Sequence, residues 1–366
     1  MSLETLTALS RFYGADSGYV IAGGGNTSFK DRDTIWIKGS GVSLGEITPD
    51  GFVAMDRAKL AALWDLAGKG TPEEREAAVL SGMMAARRPG EEHKRPSVET
   101  LLHDLLPFSY VVHTHPALVN GLTCSQDGEA AARELFGDEV LWIPLSDPGF
   151  VLALAVKEAA ARQGGAPDCV FLQNHGIFVA DRSPGGIKAR YNMIGDRIEK
   201  KIKRRPNCGE AETGADNSAV KAAASALRRC AGENSAAIFA RNSEIARLVE
   251  SRAAFGPVSS AFTPDHIVYA GSDPLFIEKG ADTAAAWKAH TEKTGRPPKI
   301  AALQGLGVFG LGPTEKAAAL ALELFHDSVK VAVYAESFGG GRFMTAEKIA
   351  FINNWEAEQY RAALVR

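Results

Sequence analysis

The stretch VVHTHP, residues 111–116, places two histidines one residue apart at the end of a β-branched run and closes them with proline. In a strand, side chains alternate faces, so His113 and His115 share one face while Thr114 takes the other. Across a spacing of roughly 7 Å two imidazoles can converge on one ion. Pro116 biases His115 toward extended backbone, which helps hold that pose. Taken alone, an H-x-H pair is equally a pair of half-exposed polar residues beside a turn. The rest of the chain decides, by what it can bring to meet them.

A third histidine, His175, lies in the run CVFLQNHGIFVA, residues 169–180. That run is apolar on both faces and reads as one central strand. A histidine so placed needs a polar partner or a metal. Gly176 directly after it lets another group approach the backbone closely. Three histidines leave coordination positions open, the layout of a catalytic rather than a structural zinc site. The competing reading of His175 is a core histidine satisfied by one hydrogen bond.

A carboxylate is available in RPSVETLLHDLLPF, residues 95–108. Ser97 after Pro96 can cap a helix, placing Glu99 in its first turn, near the histidine strand. Glu99 can ligate an ion, act as general base, or complement the helix dipole. His103, four residues on, shares its helical face and makes a rival metal pair. LLHDLL nevertheless reads as a packing helix, with His103 structural.

Two loops suit an anion. AGGGNTSFK (22–30) sets three glycines before Asn26, Thr27 and Ser28, and IKGSGVS (37–43) supplies Lys38, Ser40 and the amide of Gly41. Glycine-rich backbone leaves amides free to face a phosphate. The first is neither a G-x-G-x-x-G nor a P-loop, because no G-K-[ST] follows and the next segment is a strand. Ser97 is a third candidate. Tight hairpin turns without any ligand are the plain alternative.

The 366 residues are 45% hydrophobic with a formal net charge of -3, enough for two domains and without general attraction for nucleic acid. The basic run EKKIKRR (199–205) reads as a solvated helix end. No apolar stretch approaches the roughly 18 residues that cross a bilayer, and MSLETLTALSRFYG lacks the features of a secretory signal. Cys124, Cys169, Cys208 and Cys230 form no C-x-x-C pair, so reduced thiols in a cytoplasmic protein are expected.

Residues 1–205 read as one mixed α/β domain, 206–218 as a polar linker, and 219–366 as a second α/β region. In that region DHIVYAG, KIAALQGLGVFGLG and VKVAVYAESFG read as strands. LQNHGIFVADRSP (172–184) aligns without gaps with LQGLGVFGLGPTE (303–315), and His175 becomes Leu306. A weaker echo pairs TPDGFV (48–53) with TPDHIV (263–268). The second region is therefore expected to be a shortened, decayed copy without a metal site, coincidence between two glycine-containing strands being the alternative.

GGGNTS, KGSG, PSVE, HTHP and NHG, in this order, resemble the class II aldolase/adducin family over roughly residues 5 to 205. The resemblance implies a three-layer α/β/α domain with a central, mostly antiparallel sheet, assembled as a homotetramer or dimer. It implies zinc, or manganese or cobalt, on His113, His115 and His175, with Glu99 as acid/base. Asn26, Ser40, Gly41 and Ser97 would bind the phosphate of a phosphorylated sugar. The implied reaction is cleavage of a ketose 1-phosphate of the rhamnulose or fuculose type through a metal-stabilised enediolate. An epimerase, dehydratase or decarboxylase of the same family, or a non-enzymatic adducin-like binding protein, is the alternative. Glu99 precedes His113 by only 14 residues, a shorter spacing than in sugar aldolases of this kind. The second half resembles the segment following the aldolase domain in two-part aldolase/short-chain-dehydrogenase proteins; no glycine motif follows a strand there, so no NAD site is expected.

Overall fold

The computed structural model describes residues 3–165, 167–209, 218–232 and 234–356. They fall into two compact units. The first comprises the residues up to Val119 together with Gly128–Lys200; the second comprises Asn120–Asp127 together with the residues from Lys201 on. Most of the expected linker, 210–217, lies outside the described residues.

The first unit is built on seven strands: β1 (Asn26–Lys30), β2 (Thr34–Lys38), β3 (Phe52–Asp56), β4 (Tyr110–Thr114), β5 (Leu141–Ile143), β6 (Cys169–Leu172) and β7 (Gly176–Asp181). Their order is β3-β2-β1-β4-β7-β6-β5, and only β5–β6 is parallel. The helices are α1 (Leu3–Gly14), α2 (Arg57–Ala62), α3 (Pro72–Ala85), α4 (Thr100–Leu105), α5 (Ala117–Thr123), α6 (Gly128–Phe136), α7 (Phe150–Gln163) and α8 (Pro184–Glu199); the last residues of α5 belong with the second unit. α3 opens as its sequence suggests: Thr71 and Glu74 form a reciprocal capping box, with Pro72 in the first turn.

One face of the sheet, carrying Ile35, Val53, Val111 and Phe178, packs against Val79 of α3, Leu101 and Leu102 of α4, and Phe150 and Val156 of α7. On the other face, Thr27 of β1 meets Ser10 of α1 at 2.6 Å and Thr114 of β4 meets Tyr191 of α8 at 2.8 Å. The result is three layers, α/β/α, around a mostly antiparallel sheet. The face assignment matters for function. Register pairs Asn26 with His113 and Ser28 with Val111, so Asn26, Ser28, Val111 and His113 all point toward α4.

Five segments differ from their sequence reading. CVFLQNHGIFVA is a hairpin, β6 and β7, with His175 in the turn between them. Asn174 supplies the positive φ (56°) that closes it. KIAALQGLGVFGLG is likewise a hairpin. DHIVYAG is a π-helical turn at His266–Ala270, so the echo of 48–53 ends there, since the earlier copy leads into β3. VKVAVYAESFG continues a helix of 21 residues, because no proline or glycine interrupts Glu315–Ala335 and its apolar residues are buried nearly all round. The helix before the basic run ends at Glu199. Lys200 and Lys201 stand four residues before Arg204 and Arg205, where continued helix would stack like charges.

The second unit contains α9 (Ser218–Ala231), β8 (Ala236–Ala240), α10 (Ser243–Leu248), α11 (Arg252–Phe255), β9 (Leu275–Ile277), α12 (Thr283–Thr294), β10 (Ile300–Leu303), β11 (Gly307–Gly312), α13 (Glu315–Ala335) and α14 (Ala346–Asn354). Its sheet, β8-β11-β10-β9, matches β4-β7-β6-β5 strand for strand, with only β9–β10 parallel. Details coincide too. In the first unit Gln173 donates its amide N–H to Ile143 and accepts from Leu145; in the second, Gln304 does the same with Ile277 and Lys279. Ser183 caps α8 and Thr314 caps α13.

Candidate metal centre

β4 is buried along its whole length, yet delivers a histidine to the α4 side of the sheet. His113 donates from Nδ1 to the carbonyl of Ile177 at 2.9 Å and stacks on Phe178 with ring centroids 4.1 Å apart. With Nδ1 carrying the proton, Nε2 presents a lone pair. His115 follows the strand, its amide bonded to the carbonyl of Tyr19, and its Nε2 lies 2.9 Å from that of His113. The turn between β6 and β7 brings His175 alongside. Ligand atoms of the three histidines all lie within 4.8 Å of one another, the one group among the described residues that can hold a metal ion.

Two glycines permit this approach. A Cβ on Gly176 would stand 2.5 Å from the carbonyl oxygen of Thr114 and 2.7 Å from Cδ2 of His115. Gly25, at φ 63°, abuts the carbonyl of His113 at 2.7 Å in the same sense.

Glu99 is the N-cap residue of α4 and is 6% exposed. Its Oε1 lies 3.5 Å from Nε2 of His113 and 3.8 Å from Nε2 of His175, and has no hydrogen-bond partner. Such an oxygen, buried and unpaired, is costly unless a cation or substrate meets it. Three nitrogen donors and one carboxylate oxygen thus suit a divalent ion of the zinc type.

The other carboxylate oxygen is held. Asn26 donates from Nδ2 to Oε2 of Glu99 at 2.6 Å and to Oγ of Ser97 at 3.3 Å, and its Oδ1 meets Nε2 of His103. Sequence reading placed Asn26 at a phosphate; here its amide group is occupied by the carboxylate and its supports. Ser97 also accepts from the amide of Glu99, and its own amide reaches the carbonyl of Lys38 at 3.3 Å. Lys38 donates to the carbonyl of Gly23 at 3.2 Å, and the amide of Ser40 bonds the carbonyl of Arg95. The glycine-rich loop, Ser40, Gly41 and Ser97 are therefore neighbours, beside Glu99.

His103 stands apart from the three histidines, fully buried, with Nδ1 2.8 Å from Oγ of Ser28. Burial holds its ring well below the ordinary imidazole pKa, so it is neutral. Lys30 donates to its backbone carbonyl. Sequence reasoning gave Ser28 only a place in an anion loop and missed Lys30 and the role of His103. The available signal was polarity at every second position of NTSFK, which on a strand means one polar face turned inward.

An uncharacterized oxidoreductase of Bacillus subtilis strain 168, YuxG, is 31% identical over 184 residues, 48% of this chain and 26% of that protein. The chain thus spans about a quarter of the length of that curated relative. Among solved structures, the N-terminal class II aldolase domain of a conserved protein from Thermoplasma acidophilum is 27% identical, covering 56% of this chain and 94% of that one, with TM-score 0.47. L-fuculose-1-phosphate aldolase from Thermus thermophilus is 18% identical, covering 54% and 94%, with TM-score 0.36. The sequence pattern of the Class II Aldolase and Adducin N-terminal domain matches residues 4–194, more than half of the chain, and the chain belongs to that family.

Proposed function

We propose that the first unit is a metal-dependent sugar-phosphate aldolase, cleaving a ketose 1-phosphate of the rhamnulose or fuculose type to dihydroxyacetone phosphate and an aldehyde. One observation carries the reading: an unpaired, buried carboxylate oxygen, Glu99 Oε1, faces three converging imidazoles. His113, His115 and His175 would hold zinc, or manganese or cobalt. When bound, the ion supplies a Lewis acid that offsets negative charge developing on the ketose oxygens. His113 contributes its Nε2 lone pair because its one N–H, on Nδ1, is donated to the carbonyl of Ile177. Glu99, held through one oxygen by Asn26, keeps the second free to take a proton from, or return it to, the carbon beside the ketose carbonyl. Ser40, Gly41 and Ser97, with Asn26 adjoining them, would seat the phosphate. Those contacts add orientation, which contributes several kcal/mol to lowering a barrier.

The test is a panel of ketose 1- and 5-phosphates, with coupled detection of dihydroxyacetone phosphate, on protein of measured metal content. Release that is lost on chelation and restored by zinc is the expected result. Full activity in metal-free protein removes the mechanism, and isomerised sugar without release makes the protein an epimerase. Oligomeric state is read in the same preparation, a tetramer or dimer being expected.

We infer also that the second unit is a copy of the β4–α8 half that no longer holds a metal. Register puts Phe239 opposite Phe309 where His113 stands opposite Phe178. Arg241 then takes the place of His115, and Leu306 that of His175. Arg241 donates to the carbonyls of Gly305 (2.9 Å) and Leu306, a cation supplied by the chain itself. One metal equivalent per chain, abolished by His113→Ala, is expected; a second equivalent surviving that change refutes the inference.

A further inference from the structure

β1 turns three alternate residues to the α4 side, and all three grip one residue. Asn26 meets Nε2 of His103, Ser28 meets Nδ1, and Lys30 meets the backbone carbonyl. The direction of the proton chain follows from its far end. Asn26 donates its NH₂ group to Oε2 of Glu99 and to Oγ of Ser97, which turns its carbonyl toward His103. That carbonyl only accepts, so Nε2 of His103 must carry the ring proton. Nδ1 is then a bare acceptor, and the Ser28 hydroxyl donates to it. Each link admits one orientation.

We propose that His103, locked as the Nε2–H tautomer, is a positioning residue: through Asn26 it fixes which oxygen of Glu99 is tied down and which faces His113 and His175. The inference rests on Glu99 acting as the proton-transfer group. None of these bonds reaches the histidine triad, Ser40, Gly41 or Ser97. Its effect on the reaction passes through a single amide, whose two ends would otherwise exchange places by rotation. Rotation would set the amide oxygen against the carboxylate and release Glu99 from its pose.

Two measurements test the proposal. ¹⁵N NMR of the metal-free protein reads the tautomer directly and needs no activity: protonated Nε2 with bare Nδ1 is expected for His103, and the Nδ1–H form overturns the chain. His103→Met removes the donor, whereas His103→Gln keeps one. For the methionine variant, kcat should fall roughly ten- to hundredfold with KM and metal content little changed, and His103→Gln should recover most of the loss. In a Glu99→Gln background His103→Met should cause no further loss, because the route through the carboxylate is already gone. Equal losses in both backgrounds mean a general packing role and overturn the proposal. Should His103→Met fail to fold, the glutamine variant in both backgrounds and the tautomer decide. A protein of settled tautomer that cleaves no ketose phosphate refutes the aldolase reading alone.

Discussion

Gly176→Ala tests whether close backbone approach sets the metal geometry. The added Cβ would lie 2.5 Å from the Thr114 carbonyl oxygen, against 3.4 Å for the start of ordinary contact, so β4 and the turn must separate by about 0.9 Å. Thr114 pairs with Ile177 in the ladder and His115 follows it directly, so neither strand can yield without carrying a ligand along. Overpacking of this kind costs about 1–3 kcal/mol. Metal sites tolerate deviations of about 0.2 Å in ligand distance, so a shift several times larger should lower affinity at least about tenfold, or ~1.4 kcal/mol. Gly195→Ala is the control. Nothing lies within 4 Å of a Cβ there, and the position is inside α8, so the exchange should stabilise by about 0.5–1 kcal/mol through lower unfolded-state entropy. Chelator competition for cobalt or zinc reads the affinity, and thermal melting reads the stability. Unchanged affinity in Gly176→Ala alongside the control would mean that the ligands are placed by something other than this contact.

His113→Ala should abolish ion binding in the same competition assay, while His103→Met should leave it close to wild type; the reverse pattern would make α4, not β4, the metal face. Burial pushes the Lys30 amine down to about 7 from its usual 10.5, so the folded state resists a proton that the unfolded chain takes up. Its contribution is therefore complete above pH 10.5 and is lost as pH falls to about 7. The stability difference between wild type and Lys30→Met should shift in favour of wild type by about 1.4 kcal/mol per pH unit as pH rises across that window, read by melting at matched pH values. A flat difference would place the amine in water. In the second unit, Arg241→Ala removes two donors from the β10–β11 turn and should cost about 1 kcal/mol with metal content unchanged.

The helices and the histidine strand were legible because their signals are local. Thr71, Pro72 and Glu74 start α3 by satisfying backbone donors within one turn, and HTHP states its own face alternation. The hairpins were not legible, and the reason is specific. CVFL and GIFVA are both buried on two faces, so no change of hydrophobic period marks the reversal between them. The only punctuation is QNHG, whose turn-forming residue is an asparagine at φ 56°, two positions before the glycine that draws attention. Gly176 serves the approach of His115 rather than the bend. In α13 the error ran the other way. Val329, Val331 and Val333 alternate like a strand, but they lie late in an uninterrupted helix whose surroundings bury most of its circumference. Tertiary burial there outweighs β-branched propensity.

That hidden reversal is what makes the site. Had residues 169–180 run straight, His175 would lie some residues along a strand from any neighbour of His113, at about 3.3 Å per residue. Folding back at Asn174 puts it next to β4 without a long-range element of its own. The second unit has the same bend and no histidine at it: Gly305, at φ 75°, stands where Asn174 does, and Leu306 stands where His175 does. Backbone geometry and chemistry are thus separable at this turn. The hairpin conformation is set by one residue with positive φ, whereas the candidate metal set takes the next residue together with His113 on β4 and His115 just past its end. Restoring a histidine at 306 alone should therefore leave the second unit metal-free, since Phe239 and Arg241 still occupy the places of the other two ligands. Leu306→His protein carrying a second tightly held equivalent of zinc would show that the correspondence drawn between the two sheets is wrong.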